Sequence, residues 1–206
     1  MIVMTRDEFI KELEGYIRHI RSANSYFDAY QAIVTGLYNN LDEINLSPGF
    51  FTVAKRSLYH SLMIELAKLF CERKSSERTL SKLLNLLQDN RHLFQDKSDL
   101  TAIIQKANAQ LDKMEPEILS LKTRRDKFLA HNDPIYFQNG FTLGNNASIG
   151  YGVVFSMLQF SEDLCLTIFS RLDDRKPCFR MKDSGDLNVL LAHAKANQVG
   201  GTAAAM

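Results

Sequence analysis

The sequence predicts an all-α protein: an antiparallel helical bundle with N- and C-terminal helical extensions. Three observations lead there. Apolar residues recur at spacings of three and four through several long stretches, the period of a helix with one buried face. Strand-like alternation is nearly absent. Polar loops and a Ser-Pro-Gly breaker separate the periodic stretches, so the helices can fold back on one another.

Taken in order, Thr5 and Glu8 have the spacing of a capping box, which starts the first helix at Thr5. Phe9, Leu13, Tyr16, Ile17 and Ile20 form its stripe, and Phe27, Tyr30, Ile33, Val34, Leu37 and Leu41 continue it to about Ile44. Small polar residues from Ser22 to Ser25 interrupt the stripe, where a kink and a turn both fit. Ser47-Pro48-Gly49 breaks the chain, and its proline suits the first turn of the next helix. Phe51, Leu58, Leu62, Leu66 and Phe70 make that helix central, ending near Cys71. A polar loop from Glu72 to Arg78 follows, then Thr79 opens a short leucine-rich helix, Leu80 to Leu87. After a polar connection from Asp89 to Asp99, a long helix is expected from about Ser98 to Asn132. Pro116 lies inside it, and because the apolar seam keeps phase across the proline, a kink is expected rather than a break. Asn132-Asp133-Pro134 ends it, and Tyr136 to Ser148, with glycines and asparagines, reads as a surface loop. Val153, Val154, Met157, Leu158, Ser161, Leu164, Cys165, Ile168 and Leu172 form the last core helix.

At 206 residues, 45% hydrophobic and 24% charged, the chain can bury one sizeable core. The expected organisation is a helical bundle domain over 1–182 and a weakly helical tail over 183–206, frayed at its end. No membrane-length apolar run and no leader peptide stand out, so a cytoplasmic protein with no membrane partner is expected. Cys71, Cys165 and Cys178 are odd in number and far apart, and read as reduced. No paired metal-ligand spacing, glycine-rich phosphate loop or nucleophile elbow occurs, so neither a cofactor nor a metal is expected. A net charge of +1 leaves nucleic-acid affinity to local clusters, of which there are two: Lys122 to Lys127, and Arg171, Arg175, Lys176, Arg180 and Lys182.

The chemistry concentrates in Lys122-Thr-Arg-Arg-Asp-Lys-Phe-Leu-Ala-His-Asn-Asp-Pro134. Leu100, Ile104, Ala107, Leu111, Met114, Ile118 and Leu121 form an apolar seam whose next positions are Arg125 and Phe128. A guanidinium on a core-facing line needs a carboxylate, carbonyls or an incoming anion to offset its desolvation. His131, whose side chain titrates near neutrality, follows within two turns. On an ideal helix Arg124 aligns better with His131, while the seam places Arg125 inward, so both arginines stay candidates. The plain structural alternative pairs Arg125 with Glu65 or another buried acid and leaves His131 capping a helix end.

Arg-Asp-Lys-Phe-Leu-Ala-His-Asn-Asp closing a long helix resembles the HEPN superfamily, and more narrowly its abortive-infection branch, in which Arg-Asp-Lys, two variable residues, Ala-His and a nearby aspartate recur. The resemblance covers Phe51 to Leu172 in outline, and only the motif is specific. It implies metal-independent endoribonuclease activity of a toxin or phage-defence kind, with RNA as partner and two subunits facing their motifs across a homodimer cleft. In that reading Arg125 and His131 are catalytic, and Arg124, Asp126, Asp133 and Glu65 support them. Asp126 or Asp133 would orient the imidazole, though Asp126 also has helical spacing to Lys122. An antitoxin or regulatory protein is a further partner class. Two departures stand out: the tyrosine that many HEPN toxins carry two residues after the histidine is Asp133 here, and the aspartate that often ends the preceding core helix is replaced by Cys71-Glu72. The competing reading is a catalytically silent helical module binding RNA or a partner protein.

Overall fold

In the computed structural model the described residues are 3–72, 78–95, 97–129, 148–181, 186, 189–193 and 195. They contain no strand, so the all-α expectation holds. The helices are α1 (Arg6–Asn39), α2 (Leu41–Asn45), α3 (Pro48–Phe70), α4 (Leu80–Asp89), α5 (Lys97–Lys113), α6 (Glu115–Thr123) and α7 (Tyr151–Phe169). A short 3-10 turn at Arg91–Leu93 precedes α5, and a π-helical turn, Arg124–Leu129, follows α6.

The capping box forms as read: the Thr5 amide donates to Glu8 Oε2 at 2.8 Å, and the Glu8 amide donates back to Thr5 Oγ1 at 3.3 Å. The small polar residues at 22–25 lie within one unbroken α1. Pro48 takes the first position of α3, where its missing N–H costs nothing. Thr79 caps α4 by accepting from the Lys82 amide at 3.3 Å. At Pro116 the expected single kinked helix is two helices instead. Met114 leaves helical geometry at φ −89° and ψ 4°, and the proline sits in the first turn of α6. The ring cannot donate to the preceding turn, so the helix restarts at Glu115, one residue upstream of the proline.

Contacts gather into two compact units, Met1–Ala23 with Met63–Phe179 and Asn24–Leu62 with Arg180–Met206. The first unit holds the seam. Leu100, Ala107, Leu111, Met114 and Leu121 are buried on α5 and α6, beside Leu80, Leu83, Leu84 and Leu87 of α4 and Phe9, Leu13 and Ile20 of α1. Phe9 meets Phe94 edge-on at 5.9 Å between ring centroids, a favoured aromatic geometry. By length and composition α7 could cross a membrane, with a mean hydropathy of 1.3, against the sequence expectation of no such run. Its apolar face, including Val154, Met157, Leu158, Cys165 and Ile168, is instead buried in the first unit's core.

The second unit has its own cluster of Ile33, Ile44, Phe51 and Leu191. Leu191 belongs to the segment expected as a tail, yet it is 3% exposed. Gly36 makes room for it: an added Cβ would lie 3.0 Å from Ile44 Cδ1 and 3.3 Å from Leu191 Cδ1.

Candidate functional site

The motif turn begins where α6 loses its regular ladder. The Thr123 hydroxyl donates to the Leu119 carbonyl at 3.0 Å, a side-chain bond that competes with the backbone and commonly bends helices. The next six residues, Arg124–Leu129, wind as a π-helix, a form that recurs at functional sites. On a regular helix neighbouring side chains diverge and do not pair. The wider turn here lets Arg125 pair with the next residue. Its Nε donates to Asp126 Oδ1 at 2.6 Å and its Nη2 to Asp126 Oδ2 at 3.0 Å, a two-pronged fork.

The third bond ties the turn to α3. Arg125 Nη1 donates to the Cys71 carbonyl at 3.2 Å, just past the end of α3. The Cys71 thiol, in turn, donates to the Ile118 carbonyl at 3.7 Å, so one residue joins α3 to α6 through both its backbone and its sulfur. The Arg125 side chain is 11% exposed, as the seam required, whereas Asp126 is 35% exposed. The hydrogen bond that the guanidinium donates to Asp126 raises its pKa above its ordinary value despite the opposing effect of burial. Three of the five guanidinium N–H groups are thus engaged by these bonds.

The other expected site residues are placed as follows. Arg124 is half-buried and opens the π turn, so the 3.6-residue wheel that aligned it with His131 does not apply there. Glu65 does not meet Arg125. Its carboxylate accepts from His19 Nδ1 at 2.7 Å and from Lys68 Nζ at 2.6 Å, and it is only 12% exposed. His131, Asp133 and Tyr136 lie outside the described residues.

His19 carries no motif that the sequence singles out. Its Glu65 partner stands 46 positions away, a distance no local pattern reveals. A groove of about 480 Å³ between α5 and α7, lined among others by Ile103, Lys106, Gln110, Phe155, Phe160 and Asp163, was equally invisible. No group of three or more His, Cys, Asp or Glu side chains converges as a metal site among the described residues.

A protein-family model described as AbiU2 (HEPN_AbiU2) matches residues 6–197. No curated protein and no solved structure matches the chain.

Proposed function

We propose, because the chain belongs to the AbiU2 family of HEPN proteins, that it is a metal-independent endoribonuclease of toxin or phage-defence type, acting in the cytoplasm as a homodimer. The observation that carries this reading is the fixed Arg125 guanidinium. It sits on the turn that leads to Ala130-His131-Asn132-Asp133, and two of its N–H groups remain beyond the three bonds described. A phosphorane oxygen is the ligand such groups suit.

In the proposed reaction the RNA 2′-oxygen attacks the adjacent phosphorus while His131 takes the hydroxyl proton. The phosphorus to 5′-oxygen bond breaks, and the leaving oxygen is protonated by the His131 of a second subunit. The products are a 2′,3′-cyclic phosphate and a free 5′-hydroxyl. Arg125 stabilises the charge that gathers on the equatorial oxygens. One imidazole serves one proton transfer well at a time, which is the chemical reason for a two-fold dimer burying at least ~1,200 Å² in total near both histidines.

His131→Ala is expected to abolish cleavage while leaving RNA affinity within a few-fold, and Arg125→Ala to reduce both. Arg124→Ala measured alongside decides which arginine acts. Cleavage that survives His131→Ala unchanged sinks the mechanism. A specific observation supports the second reading, a silent module that binds RNA or a protein: Asp126 already neutralises Arg125 at hydrogen-bond distance. A purified dimer that cleaves no cellular RNA would establish that alternative.

A further inference from the structure

A second basic feature lies within the first unit. Glu14, Ile17, Arg18 and Arg21 on α1, with Phe169 at the end of α7 and the segment Arg175 to Cys178, enclose a cavity of about 420 Å³. The basic run that the sequence offered as one cluster is sorted by its partners. Arg171 is paired with Asp99 at 2.5 Å, and Arg175 is held by Asp173 at 2.7 Å and Glu14 at 3.3 Å. Arg175 also lies over the Phe169 ring, 5.8 Å from its centroid. These pairings tie up the acids at the pocket and leave the cations in excess. Arg18 and Lys176 are both exposed and have no carboxylate partner among the described residues. Arg21 is fixed in place by donating to the Cys178 carbonyl at 2.8 Å.

We propose that this pocket is a docking subsite for the sugar-phosphate backbone of single-stranded RNA, with Arg18 and Lys176 as the phosphate contacts. The inference deepens the ribonuclease reading and rests on it for the identity of the ligand. Four cationic side chains against the single lining carboxylate of Glu14 give the cavity a positive excess. Phosphate is the ligand that gains most from such a field, and counterion release makes the gain depend on salt. The lining offers no platform for a base. Phe169 is 3% exposed and its face is taken by Arg175. Backbone contact without stacking positions a strand and carries no sequence information.

Cys178 supplies a reporter. It lines the pocket and is exposed, while Cys71 and Cys165 are buried. The probe is a twelve-nucleotide 2′-O-methyl RNA, which keeps the phosphates and cannot be cleaved. It is expected to slow alkylation of Cys178 by a bulky maleimide about five-fold, read by intact mass. Single-stranded DNA of equal length should protect as well. Arg18→Gln with Lys176→Gln, both surface changes, should weaken binding roughly ten-fold at moderate salt and flatten the plot of log affinity against log salt by about 1.4, that is 0.7 for each lost contact on a single strand. Alkylation that is unchanged by the oligonucleotide overturns the proposal, as does a double variant with wild-type affinity and slope. Full protection by millimolar inorganic phosphate alone overturns it too, because the site would then hold a free anion and not a strand. Failure of the catalytic reading looks different: Cys178 protection would persist while no RNA is cut.

Discussion

Replacing Arg125 with alanine removes three things whose sizes can be set against one another. The bond to the Cys71 carbonyl is charge-assisted and lies on a side chain only 11% exposed, so its loss costs about 1.5–3 kcal/mol. The fork to Asp126 is worth less, because that carboxylate is 35% exposed and regains water when the arginine goes; its share is under ~1 kcal/mol. The buried aliphatic stem contributes on the order of 1 kcal/mol. Together the variant should lose about 3 kcal/mol. With a urea dependence of ~2 kcal/mol per molar, the midpoint falls by roughly 1.5 M. Asp126→Asn removes the ion pair and leaves the Cys71 bond, so it should lose no more than ~1 kcal/mol. Urea unfolding followed by far-ultraviolet circular dichroism measures both. An Arg125→Ala midpoint within error of wild type would refute the account of how the guanidinium is held. So would an Asp126→Asn variant that is the weaker of the two. The comparison also bears on function, since any fall in cleavage by Arg125→Ala must first be corrected for the fraction folded.

Leu111 is 9% exposed in the seam, so Leu111→Ala should cost about 2–5 kcal/mol as a core cavity, and near-normal denaturant stability would count against the seam. Burial raises the pKa of both Cys165, to about 12, and Tyr16. Each is an acid kept neutral by the fold, so their stabilisation is complete below the unfolded-chain values of 9.0 and 10.0 and is lost as pH rises above them. Stability should therefore fall above about pH 9 by up to ~1.4 kcal/mol per pH unit for each group. Urea unfolding at pH 8, 9.5 and 10.5 checks this: Cys165→Ala should lose the part that begins near 9, and an identical pH profile would remove Cys165 from the explanation.

Much of the fold was legible because helices announce themselves locally. The Thr5 and Glu8 pair, the proline at the head of α3, the Thr79 cap and the buried seam all depend on residues within a few turns of one another. One error came from the assumption of uniform winding at 3.6 residues per turn. It carried the helix through Met114, whereas the chain leaves helical geometry there and restarts at Glu115. The inward position of Arg125 was readable from the seam. Its partners were not. Adjacent side chains do not pair on an ideal helix, and Cys71 and Glu65 are set by packing between elements far apart in the chain.

The two anchors of Arg125 differ in reach. Asp126 is its covalent neighbour and travels wherever the turn travels, whereas Cys71 stands 54 positions away and stays with α3. Displacing the turn therefore breaks one charge-assisted bond and leaves the ion pair whole. At about 2 kcal/mol for that bond, a few per cent of molecules would have it undone at any moment. Releasing the Cys71 carbonyl would free a third N–H while Asp126 still pairs the charge.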